Sequence, residues 1–122
     1  MVIDHSLLAK MARLVGFPSA GEHPAGLMCA GASLAQLHAM HLARHRLQPD
    51  LVSAGADGRH RRILVSESGH YSAEKIAAVM GLGRNAVEAV PTTADGVMNL
   101  DALDATLANG PEVLAVIATA GT

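Results

Sequence analysis

Three places in the sequence put chemically useful groups where a ligand would meet them. Ala30-Gly31-Ala32-Ser33 is a run of small residues ahead of a helical pattern. Small side chains let a ligand approach the backbone, and free N–H groups plus a helix dipole attract an anion such as phosphate. The other reading of this turn has Ser33 serving only its own helix as a cap. Ser66–His70 follows the apolar run Ile63-Leu64-Val65 and precedes a second helical pattern. An imidazole at such a strand end is either an ordinary polar loop residue or a flat group laid over a planar ligand, able to exchange a proton near neutral pH. Tyr71 beside it is a hydrogen-bonding neighbour or simple packing. Thr119 and Thr122, at the third place, make local hydrogen bonds or donate a hydroxyl to a ligand.

Two further groups carry less. His38, His41 and His45 share one side of a helix, but no carboxylate or thiolate joins them in sequence, so a solvated or interface face is expected and no metal. Cys29 has no adjacent lysine or arginine to activate it and reads as a small buried apolar residue.

The elements that must position these groups follow from the hydrophobic pattern. Leu7, Leu8, Met11, Leu14 and Val15 have helical spacing over residues 4–15, with Gly16 and Pro18 as the stop. Residues 26–30 are a brief buried strand or an extended lead-in. Ser33 and Gln36 fit a capping box, which opens a helix to about Arg46. Residues 48–59 contain Pro49, Gly55 and Gly58 and read as a surface loop. Beyond it the chain alternates. Strands are expected at residues 62–66, 86–91 and 113–118. Helices are expected at residues 72–80, capped by Ser72 and stopped by Gly81, and at 99–108, capped by Asn99. The last strand is nearly all apolar, as a parallel strand buried on both faces should be. The alternation means an α/β fold with a mainly parallel sheet flanked by helices and joined by right-handed crossovers. Functional groups then belong at the carboxyl ends of the strands.

Composition narrows the function. The chain has 122 residues, half of them hydrophobic and 16% charged, with a net charge of −2. That is a globular composition of one domain or a piece of one. Phe17 and Tyr71 are its only aromatic residues, so base stacking has no platform, and no basic patch serves a phosphate backbone. Nucleic acid is therefore not an expected partner. One cysteine excludes an internal disulfide. No segment approaches the roughly 20 apolar residues of a membrane span, and residues 1–14 lack a signal-peptide pattern. No membrane association is expected, and a cytoplasmic protein is.

Four segments in order carry a family resemblance: GLMCAGASLAQLHAMHLAR, ILVSESGHYSAEKIAAVMGLG, VEAVPTTADGVMNLDAL and VLAVIATAGT. Together they resemble the group II pyridoxal-phosphate-dependent decarboxylases, which include glutamate, aromatic amino acid, cysteine sulfinate and diaminobutyrate decarboxylases. The resemblance implies that residues 1–122 are part of the large cofactor-binding domain of a fold-type I enzyme. It implies pyridoxal 5'-phosphate as cofactor, an amino acid as substrate, carboxy-lyase chemistry and a homodimer in the full-length form. Ala32 and Ser33 match the phosphate turn. His70 matches the histidine that stacks on the pyridine ring and helps position the substrate, and so is the expected catalytic residue. Thr122 matches a threonine that contacts the cofactor near its ring substituents. The turn departs from the family's usual Ser-Gly-Gly-Ser, so one hydroxyl is missing, and Gln36 stands where asparagine is common. The family's aspartate, partner of the pyridine nitrogen, and its Schiff-base lysine belong to later segments. Lys10 and Lys75 match neither position of that pair, so the 122 residues by themselves are expected to be inactive.

Overall fold

The computed structural model describes residues 2–17 and 26–120. Thr122 lies outside the described residues. The chain divides into two compact units, Met1–Ala35 and Gln36–Thr122, with the boundary inside one helix.

The first unit holds helix α1, Val2–Leu14. Gly16 ends it in a left-handed conformation, φ 76°. Phe17 N–H reaches back to the Ala12 carbonyl at 2.8 Å and Gly16 N–H to Arg13 at 3.2 Å, the paired bonds of a Schellman stop. Leu7, Met11 and Leu14 remain exposed. Residues 26–30 form no strand, and Gly31 N–H turns back to Cys29 O at 2.9 Å. Helix α2, Ala32–Leu47, starts two residues earlier than the capping box requires. The Gly31 carbonyl accepts the first helical bond, from Ala35 N–H at 3.2 Å, so Ser33 lies inside the first turn. Gly31 turns the chain at φ 109°, which only glycine adopts freely.

The second unit is a three-stranded parallel sheet: β1, Arg62–Ser66; β2, Val87–Val90; and β3, Val113–Ile117. The order is β2-β1-β3, with Ile63 opposite Val87 and Val65 opposite Ile117. Strand β1 is therefore central among the described strands, and β3, expected to be buried on both faces, is at an edge, as is β2, with Val116 40% exposed. Ile63 and Leu64 point to opposite faces and both are fully buried, each contributing about 1.5–3 kcal/mol. On one face Ile63 joins Met40 of α2, Leu114, and Ile76 and Ala77 of helix α4, Ser72–Val79. The register shifts between Arg62 and Ile63, which leaves Leu114 as the extra residue of a bulge.

The stretch at residues 48–59 is not all surface loop. It contains a four-residue helix, α3, Leu51–Ala54, and Gln48 is 4% exposed. The Gln48 side chain organises the segment by donating to Gly55 O and accepting from Asp57 N–H. Helix α4 stops as expected: Gly81 N–H bonds Ala78 O at 3.1 Å and Leu82 N–H bonds Ala77 O at 2.9 Å. A turn of 3₁₀ helix, Arg84–Ala86, takes the place of the first residue expected in β2. After β2, Thr92 and Met98 form an antiparallel bridge around Asp95-Gly96. Helix α5, Leu100–Ala108, is capped by Asn99 Oδ1, which accepts from Ala102 N–H at 3.1 Å. Asn99→Ala should therefore lower stability by about 1 kcal/mol. A shifted urea midpoint at unchanged slope in the intact protein checks this.

Candidate active site

All three strands run parallel, so their carboxyl ends share one edge of the sheet. The loop after β1 is built tightly there. Gly69 N–H donates to Ser66 O at 2.7 Å, and a Cβ on Gly69 would lie 2.8 Å from that oxygen. Only glycine fits, and it delivers His70 to the start of α4. Glu67 N–H extends the ladder to Val90 O at 2.9 Å. The Glu67 carboxylate accepts from Thr92 N–H at 2.8 Å and from the Thr92 hydroxyl. Those bonds, the hydroxyl's first, hold the Glu67 carboxyl below the usual carboxylate range. The loops after β1 and β2 are thus clamped together.

His70 is exposed. Its Nδ1 accepts from Ser72 N–H at 3.1 Å, so it supplies a capping acceptor for the first turn of α4. The Tyr71 ring lies against the imidazole, with centroids 4.2 Å apart and planes tilted by 34°. Lys75 Nζ sits 4.5 Å from the Tyr71 centroid, a cation–π contact one helical turn on. Tyr71 is therefore packing for the imidazole, one of the two roles its position suggested. Ser72 does not act as a side-chain cap. It is buried, and its hydroxyl donates to Gln36 Oε1 at 2.8 Å. A cavity of about 140 Å³ beside His70 is lined also by Glu67, Gly69, Tyr71 and Glu74. A larger one, about 540 Å³, opens toward α5 and includes Ser66, Ser68, Asp95 and Thr119.

Ala32 and Ser33 are exposed in the first turn of α2, where backbone N–H groups have no intrahelical acceptor. They belong to the first unit and His70 to the second. Gly31 leaves open space where a Cβ would stand. A turn of this kind suits a phosphate group, and an exposed, stacked imidazole suits a flat ring. Cys29 is partly buried. His41 and His45 meet edge to face, centroids 5.0 Å apart, and no group of three or more potential metal ligands occurs among the described residues. Nor, among those residues, is any helix long and apolar enough to cross a membrane.

Sequence reasoning missed three contacts. The Tyr71–Lys75 pair was readable from its i, i+4 spacing. Gln36–Ser72 and Glu67–Thr92 had no local signal, because 36 and 25 residues separate the partners.

The chain matches the family described as the pyridoxal-dependent decarboxylase conserved domain over residues 1–122. It is 39% identical to the L-aspartate decarboxylase dtxS4 of Metarhizium robertsii over 99% of this chain and 25% of the relative. It is 33% identical to the L-2,4-diaminobutyrate decarboxylase of Rhizobium meliloti over 99% of this chain and 23% of the relative. Crystals of mouse CSAD in apo form show the same arrangement, with a TM-score of 0.88 and 32% identity over 99% of this chain and 26% of that one. The chain thus spans about a quarter of the length of the relatives it matches.

Proposed function

The chain belongs to the pyridoxal-dependent decarboxylase family, and on that premise we propose that it is the phosphate-anchoring and ring-stacking part of an amino acid decarboxylase that uses pyridoxal 5'-phosphate. The observation that carries the reading is His70: exposed, at the carboxyl end of the central strand, backed by Tyr71 and fixed through Nδ1. Bound cofactor would supply the electron sink for loss of carbon dioxide from an amino acid. The protein's own groups bind and orient it. The first-turn amides of α2 at Ala32 and Ser33, with the Ser33 hydroxyl, hold the phosphate. His70 lies on the pyridine ring and keeps its Nε2 proton toward the ligand. Thr122 contacts the cofactor near its ring substituents. An amino acid substrate, a homodimer and a cytoplasmic setting belong to the same proposal. The first two rest on the family, and the third on the single cysteine.

We place the Schiff-base lysine outside residues 1–122. Lys75 is held over the Tyr71 ring, Lys10 lies in α1, and the chain has no other lysine. Residues 1–122 alone are therefore expected to form no amine from any amino acid. For the intact protein, the test is absorbance and carbon dioxide release with added cofactor across a panel of amino acids. His70→Ala should weaken cofactor binding about tenfold, the worth of one good ring stack. An intact protein that binds no cofactor, or a His70→Ala variant that binds it as tightly as wild type, would end this reading.

A further inference from the structure

Resting on the cofactor reading for its consequence but not for its geometry, we infer that Gln36 is a positioning residue for His70. It acts through Ser72 to hold the imidazole in the tautomer protonated on Nε2. Three contacts hold His70, and each fixes something different. The Gly69–Ser66 bond fixes where the backbone leaves the strand. Tyr71, with Lys75 behind it, restrains the plane of the ring. Neither contact selects the nitrogen that carries the proton. The Ser72 N–H does, because it donates to Nδ1 at 3.1 Å and so requires a lone pair there. The proton of the neutral ring is left on Nε2.

That selection lasts only while the first turn of α4 stays in place. Ser72 is 9% exposed, and its hydroxyl donates to Gln36 Oε1 on α2 at 2.8 Å. Ser72 N–H and Ser72 Oγ belong to one residue, so the α2 contact and the imidazole contact are joined rigidly. The consequence is chemical. With Nε2 protonated, the outward nitrogen donates a hydrogen bond to an acceptor on a ligand. The other tautomer would present a lone pair there instead and repel that acceptor. Glutamine suits the task because its carboxamide oxygen accepts from the serine without adding charge beside the ring.

The test is long-range proton–nitrogen correlation NMR on the intact, cofactor-free protein labelled with ¹⁵N-histidine, at about pH 8.5 where an ordinary imidazole is neutral. His70 is assigned by its loss in His70→Asn. The wild type should show the Nε2-protonated pattern. Gln36→Ala should shift both ring nitrogens toward the average of the two tautomers. Gln36→Glu, which keeps an acceptor, should restore the wild-type pattern. A purely structural role would lower the melting temperature of Gln36→Ala and leave the nitrogen shifts alone. Should Gln36→Ala not fold, Ser72→Ala deletes the hydroxyl but keeps the N–H and must give the same displacement. Wild-type nitrogen shifts in the folded variant would overturn the inference. Failure of the wild type to bind pyridoxal phosphate, measured separately, would overturn the cofactor reading and leave the tautomer result standing.

Discussion

Replacing Arg61 with methionine should cost the intact protein about 1–3 kcal/mol of folding stability, the usual result of losing charge-assisted hydrogen bonds from a buried side chain whose carboxylate partners remain open to water. Arg61 is 1% exposed and is the largest of the fully buried side chains among the described residues. Its guanidinium makes two parallel bonds to Asp57, Nη1–Oδ1 at 2.8 Å and Nη2–Oδ2 at 2.6 Å. Nε donates to Glu112 at 2.8 Å. The site joins the segment ahead of β1 to the segment ahead of β3, at the edge of the sheet away from the candidate active site. Methionine fills much of the volume but removes the bidentate partner of Asp57, leaving that carboxylate the Arg59 N–H at 3.1 Å and the Arg59 guanidinium at 3.7 Å. The pair also writes a pH dependence. The Arg61 hydrogen bonds hold the Asp57 carboxyl well below the usual carboxylate range. A depressed carboxyl stabilises the fold above its unfolded value, about 3.9, and loses that contribution as pH falls toward the folded value. Wild-type stability should accordingly drop between about pH 5 and pH 2, and Arg61→Met should show a flatter acid limb. Urea midpoints across that range decide both points. Equal slopes in the two proteins would refute the ion-pair account.

Only part of this site was legible in the sequence, and the reason is physical. Asp57 and Arg61 are four residues apart, within reach of local spacing, but Glu112, the other partner of Arg61, is 51 residues away, and Glu88, the partner of Arg62, is 26. Local patterns report local partners. The Arg62–Ser66 strand, the Asn99 cap and the Gly81 stop were all legible, because periodicity, a capping side chain and a left-handed glycine act within a few residues. Ser33 misled as a cap because Gly31, through its backbone, begins α2 earlier. The place of His70 was readable from strand followed by helix. The Gln36–Ser72 hydrogen bond that backs it was not, since those two residues are 36 apart and meet only once the second unit has folded. The strand order that makes β1 central and leaves β3 at an edge is likewise a tertiary outcome.

Gly110→Ala should destabilise the intact protein by about 2 kcal/mol or more, and about 1 kcal/mol of that cost should vanish when Arg62 is already methionine. Gly110 has φ 88°, which costs an L-residue about 1–2 kcal/mol. A Cβ there would also lie 3.2 Å from Arg62 Cζ and 3.3 Å from both Nη atoms. That guanidinium has little freedom to retreat. It donates to Pro111 O at 3.0 Å, Thr106 O at 3.0 Å, Asn109 O at 2.6 Å and Glu88 Oε2 at 2.8 Å. Three of these acceptors are carbonyls at and beyond the end of α5, where a helix leaves its last carbonyls unsatisfied and favours a cation. Arg62→Met should itself cost about 1–3 kcal/mol, since it takes the donor from those carbonyls, while the Glu88 side chain, 44% exposed, can turn to water. Amide exchange should quicken in the last turn of α5 before it quickens in β1. In the double variant the methyl group meets no guanidinium, so only the backbone strain remains. The double-mutant cycle should then show a coupling of about 1 kcal/mol between the two positions. Strict additivity would mean that the guanidinium moves aside freely, and the close packing of Arg62 against Gly110 would then hold nothing in place.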